Sequence, residues 1–81
     1  MITFTYSDGE KLLEQQIVYQ VPFSFFAVPV EIYLDDTLVF DSEVPGNTRL
    51  EQSVFAKAGT YQLRIYANEQ LSESREITFG E

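Results

Sequence analysis

The chain predicts an all-β domain, a sandwich of two antiparallel sheets built from six to seven short strands. Three observations predict it. Apolar and polar residues alternate with period two along most of the 81 residues, the pattern of half-buried strands. Turn signals fall between the alternating rows: Asp8-Gly9, Asp35-Asp36-Thr37, Pro45-Gly46-Asn47, Ala58-Gly59 and Asn68-Glu69-Gln70. No segment has the length and period of a helix that could cover a sheet, which points to two sheets packed face to face, with a small barrel as the alternative.

The elements follow in order. Ile2, Phe4 and Tyr6 alternate with Thr3, Thr5 and Ser7. Glu10 to Gln16 (EKLLEQQ) is helical in composition but too short to stand as a helix, and it reads as a strand or bend. Ile17, Tyr19, Val21, Phe23 and Phe25 share one parity. So do Val30, Ile32, Leu34, Leu38 and Phe40. A three-residue loop at Asp35-Asp36-Thr37 would pair Leu34 with Leu38 and Ile32 with Phe40, keeping the apolar residues on one face. Asn68-Glu69-Gln70 would do the same between Ala67 and Leu71. Leu50, Val54 and Ala56 make a row from which Phe55 is out of step. Tyr61, Leu63, Ile65 and Ala67 form the next row, and Ile77 with Phe79 the last.

One stretch stands apart. Residues 22–29 read PFSFFAVP, three phenylalanines within four residues between two prolines. Parity assigns Phe23 and Phe25 to the core. Phe26 breaks the row and is read as capping the open end of the sandwich. Exposed instead, it would be the best single anchor for a partner. Pro22 lacks a ladder donor, so the strand is an edge or ends there.

Composition excludes several kinds of chemistry. There is no Cys and no His, hence no disulfide, no thiolate ligand or nucleophile, and no imidazole base. The serines have no histidine to activate them. The four glycines are isolated, with no phosphate-cradling run. No cofactor is expected and the chain is read as not an enzyme. Thirteen acids face five bases, a net charge of -8. That disfavours nucleic acid and anionic membrane surfaces, which need clustered cations. Met1 runs directly into Ile2-Thr3-Phe4 with no leader pattern, and no apolar run reaches a membrane span. The expectation is one domain, residues 1–81, in the cytoplasm or assembled into a particle, unless it is a module of a longer secreted chain.

Candidate contact residues are few. Tyr33 lies between Ile32 and Leu34, and Tyr66 between Ile65 and Ala67, so both should point outward; with Phe26 they are the proposed partner contacts. Asp35, Asp36, Asp41 and Glu43 lie on one hairpin, but DDTLVFD lacks the spacing of a calcium loop. They read as a solvated edge that discourages sheet-to-sheet pairing.

Residues 28–40 (VPVEIYLDDTLVF) and 58–79 (AGTYQLRIYANEQLSESREITF) resemble the small immunoglobulin-like modules common in bacterial and phage proteins. The resemblance implies a tyrosine corner at Tyr61, two residues after Gly59. It implies the habits of such modules, namely adhesion, spacing and partner recognition, and no particular ligand. The expected function is a non-catalytic protein-interaction or structural module. The partner would be another protein, or a second copy meeting it along a sheet edge. Two further readings are an acidic inhibitor that imitates nucleic acid and a carbohydrate-binding module using Tyr33 and Tyr66.

Overall fold

The structure is a computed structural model; it describes residues 4–7 and 10–80, and side chains from Leu12 onward. Seven strands follow one another, with no helix among the described residues: β1 (Phe4–Ser7), β2 (Glu10–Gln20), β3 (Val28–Leu34), β4 (Thr37–Val44), β5 (Arg49–Ala56), β6 (Gly59–Ala67) and β7 (Gln70–Phe79). They form two antiparallel sheets, in the orders β1-β2-β5 and β4-β3-β6-β7. EKLLEQQ is strand throughout. The expected first row lies outside the described residues at Ile2 and at the side chains of Phe4 and Tyr6. The Asp8-Gly9 turn lies outside them too.

The inner faces follow from alternation. Leu13, Ile17 and Tyr19 of β2, then Val21, meet Val54 and Ala56 of β5. Across from them sit Val28, Val30, Ile32 and Leu34 of β3, Leu63, Ile65 and Ala67 of β6, and Ile77 and Phe79 of β7. These residues make one cluster, and no buried polar or charged residue interrupts it among the described residues. Gln15 shares the parity of this row and lies opposite Val54. Its amide donates to the Thr78 carbonyl of β7 in the other sheet. The Tyr19 hydroxyl reaches across in the same way to Ser72 Oγ, at 2.6 Å. Both tie one sheet to the other through side-chain hydrogen bonds.

Two hairpins depart from the expected loops. The β3–β4 turn has two residues, Asp35 and Asp36, because Leu34 pairs with Thr37. Asp35 takes φ 53°. A two-residue turn alone would flip the parity of β4. A register shift beside Ile32/Tyr33 restores it, so Ile32 still pairs with Phe40. Val39 and Phe40 both pack partly against the core, and Leu38, opposite Tyr33, is turned out to solvent. The β6–β7 hairpin repeats the device. Asn68 and Glu69 have φ of 53° and 63°, the two left-handed residues of a type I′ turn. Ala67 pairs with Gln70, and a shift at Ile65/Tyr66 resets the register.

The sandwich is long and narrow, 44 × 19 × 19 Å. An eleven-residue strand spans about 36 Å at ~3.3 Å per residue, so the long axis runs with the strands. The antiparallel order therefore sends the connections to two poles. The β2–β3, β4–β5 and β6–β7 connections share one, and the β3–β4 and β5–β6 turns share the other.

At that second pole the Tyr61 hydroxyl donates to the Lys57 carbonyl at 2.8 Å, tying the start of β6 to the turn before it. Its ring meets Phe79 edge-on, with centroids 5.5 Å apart. Tyr61→Phe keeps the ring and removes the bond. The expected loss is about 1 kcal/mol, read as a lower urea midpoint. An unchanged midpoint would show that the corner contributes nothing.

Candidate functional site

The PFSFFAVP stretch is a loop, and its aromatics face water. Phe23 is 69%, Phe25 88% and Phe26 82% exposed. This corrects the core placement of Phe23 and Phe25 and the capping placement of Phe26. The physical reason lies one residue before the loop. β2 ends at Gln20, and Val21 fills the last inward position while its amide donates to the Thr48 carbonyl at 2.8 Å. Pro22 has no N–H with which to continue a ladder. The chain leaves the sheet there, and parity carries no further information until Val28.

The loop is braced from beneath by the β4–β5 turn. Asn47 donates its amide to the Pro22 carbonyl at 2.9 Å. Gly46 sits against Ser24 so closely that an added Cβ would stand 2.6 Å from the Ser24 nitrogen. Within the loop, Ser24 Oγ accepts from the Phe26 amide at 3.1 Å. Phe23 and Phe25 meet edge to face, with centroids 5.0 Å apart. The neighbouring turn is anchored by the Asn68 amide on the Pro29 carbonyl at 3.0 Å.

The outcome is an apolar tip on a fixed backbone. A phenylalanine presents about 200 Å² when bare, so these three rings leave roughly 500 Å² in water. That is near the upper end for the largest apolar patch on a monomer, about 300–600 Å². No charged residue occurs from Val21 to Val30 or from Val44 to Thr48. A serine at Phe25 touches no buried packing, so Phe25→Ser should leave the melting curve within about 0.5 kcal/mol of the parent. A loss like that of a core phenylalanine would return the ring to the interior.

Tyr33 and Tyr66 stand on the outer face of the four-stranded sheet, half-buried, as their parity requires. Their rings are 5.7 Å apart and inclined at 81°. They offer an edge and a face, not the coplanar platform that stacks on a sugar ring. The Arg64 guanidinium lies over Tyr33, 5.9 Å from the centroid, and donates to the Asp35 carbonyl at 2.6 Å. With Glu31 and Glu69 these residues line a shallow hollow of about 240 Å³. Phe26 is at the first pole and the tyrosines are on the sheet face, so the three expected contacts divide between two surfaces.

A second hollow lies at the far pole, beside the Tyr61 corner. Leu12, Leu34, Thr37, Val39, Phe55, Ala56, Lys57 and Tyr61 line an open hollow of about 360 Å³. Its walls are mostly apolar, and among the described residues Lys57 is the one charged residue lining it. The outward Phe55, 45% exposed, is one of those walls.

The acidic hairpin gathers no chelating group: among the described residues no three acidic side chains cluster as metal ligands do. Asp35 is committed elsewhere, with Oδ1 accepting from the Gln62 amide at 2.9 Å. Asp36 pairs with Arg64 at 3.4 Å. No helix among the described residues is long and apolar enough to cross a membrane.

No family model, no curated protein and no solved structure matches the chain.

Sequence reasoning named Phe26 as a candidate contact and missed the exposure of Phe23 and Phe25. Two signals were present. Pro22 ends the ladder, and the run from Val21 to Val30 carries no charge.

Proposed function

We propose that this chain is a non-catalytic interaction module of immunoglobulin-like fold that meets a partner protein through the Phe23–Phe26 tip. The observation that carries the reading is the exposure of three phenylalanines on a hydrogen-bonded, uncharged loop. Exposed aromatics on a preorganised backbone are what interface anchors are made of, since little ordering remains to oppose binding. The fold assignment rests on the strand order β1-β2-β5 over β4-β3-β6-β7 and on the Tyr61–Lys57 bond, both habits of such sandwiches. A binding role, as opposed to a catalytic one, rests on a chain without His or Cys and on hollows that are shallow and open.

The experiment places a photoreactive phenylalanine analogue at position 26 and irradiates the protein in its source cell. A discrete protein adduct is expected from position 26, and none from the same analogue at position 76, on the β7 surface. Adducts that form equally from both positions, or from neither, would remove the tip as the contact.

A further inference from the structure

We infer that the partner seated on the tip is a second copy of this chain, so that copies join head to tail, the Phe25–Phe26 tip of one entering the Leu34–Phe55 groove of the next. The inference rests on the tip reading above and goes beyond it by naming the occupant. Three observations support it.

The first is complementary shape and polarity. The tip projects apolar rings and the far groove is walled by apolar side chains. A cavity of about 150 Å³ holds one benzene, so a groove of about 360 Å³ has room for two phenyl rings. Phe25 and Phe26, adjacent and the most exposed of the three, are the pair to fill it.

The second is position. Tip and groove lie at opposite poles of a molecule 44 Å long and 19 Å wide. A contact between two different patches at opposite ends does not close on itself. It repeats, as heterologous contacts do, into an open row. The axial repeat should be close to the 44 Å length.

The third is charge. A chain of net charge -8 repels its copies, yet few of the charges stand on the two contact surfaces themselves. Residues 21–30 carry none. Among the described residues lining the groove Lys57 is the one charged side chain, with Asp35 and Asp36 in the turn between its walls Leu34 and Thr37; Glu43 and Glu69 flank the tip loops. The remaining repulsion is long-range and falls with salt, because the screening length shrinks to about 10 Å at 0.1 M. Association should therefore strengthen as salt rises, the opposite of a contact held by ion pairs.

The contact is small, of the weak class below ~1,200 Å². The expected dissociation constant is roughly 10–500 µM. Sedimentation velocity from about 10 µM to 1 mM, at low and at 0.5 M salt, reads it. The average mass should climb with concentration without stopping at a dimer, and climb further in salt. Two variants separate the halves. F25S/F26S removes the plug, and Thr37→Lys places a charge in the groove; both sites are exposed, and circular dichroism checks that each variant folds. Each alone should sediment as a monomer. Mixed, they should give a species of twice the monomer mass and nothing larger, since the tip of T37K can enter the groove of F25S/F26S and no other pairing is left.

Several results would overturn the inference. One is a monomer for the parent at 1 mM in high salt. A second is a mixture of the two variants that stays monomeric. A third is a dimer that plateaus and ignores Thr37→Lys, which would mean tip against tip. If the parent stays monomeric while the analogue at position 26 still captures a different protein, self-assembly falls and the tip reading stands.

Discussion

Phe79→Ala is expected to lower the unfolding free energy by about 3–5 kcal/mol, the cost of emptying a well-packed aromatic site. Phe79 is 1% exposed at the end of β7. It pairs with Gly59, which has no side chain to fill the space, and the Tyr61 ring meets it edge-on. Removing the ring therefore leaves a void that its neighbours cannot close and also withdraws the support under the Tyr61 hydroxyl bond. A domain of 81 residues has about 4–12 kcal/mol in all, at ~0.05–0.15 per residue. The variant should be partly unfolded at 37 °C, and urea denaturation followed by circular dichroism would show it. A loss below about 1 kcal/mol would mean that the end of β7 is frayed and outside the core.

Gly46→Ala is expected to cost about 2–3 kcal/mol, the upper part of the range for forcing extra atoms into closed packing. The added methyl would lie 2.6 Å from the Ser24 nitrogen and 2.7 Å from its carbonyl oxygen. Both are backbone atoms, so no rotamer change relieves the contact, and the β4–β5 turn and the aromatic loop must part. The Asn47–Pro22 and Val21–Thr48 bonds hold those segments together. Their amides should exchange with solvent faster in the variant while the β3–β6 amides stay protected. Unaltered exchange at Val21 and Asn47 with a parental midpoint would show that the loop is not seated on the turn.

Most of the core was legible because strand alternation is a local rule. Val30, Ile32 and Leu34, then Leu63, Ile65 and Ala67, then Ile77 and Phe79, are all buried where parity places them. The rule failed where the backbone stopped being a strand. Phe23 and Phe25 kept the parity of Val21, but beyond Pro22 there is no pleat to give parity meaning. Turn length failed for another reason. Asp35-Asp36 and Asn68-Glu69 make two-residue turns, and each hairpin absorbs the change of register in a shift two residues before the turn. No residue beside Ile32 or Ile65 announces that shift. At the candidate site, Tyr33 and Tyr66 were readable as outward. The bracing of the tip was not, because Gly46 and Ser24 are distant in sequence and meet only once both sheets exist.

The pairing pattern also sets a timetable for folding. β1 with β2, β3 with β4, and β6 with β7 are hairpins between neighbours in the chain. Such units close in about 1–10 µs. β2 with β5 and β3 with β6 are different. They bring Leu13 to Ala56 and Val30 to Ala67, so a long stretch of chain must be looped before the first such contact is made. The three hairpins are thus early and individually marginal, and each sheet is completed only by a long-range strand pairing. Refolding should be slow for the size, in the millisecond-to-second class of sandwich topologies. The aromatic loop sits between β2 and β3, where one hairpin hands over to the next. It takes its fixed shape only when β5 arrives beside β2 and brings the Gly46 turn under it, so the aromatic end of the molecule is among the last parts to form.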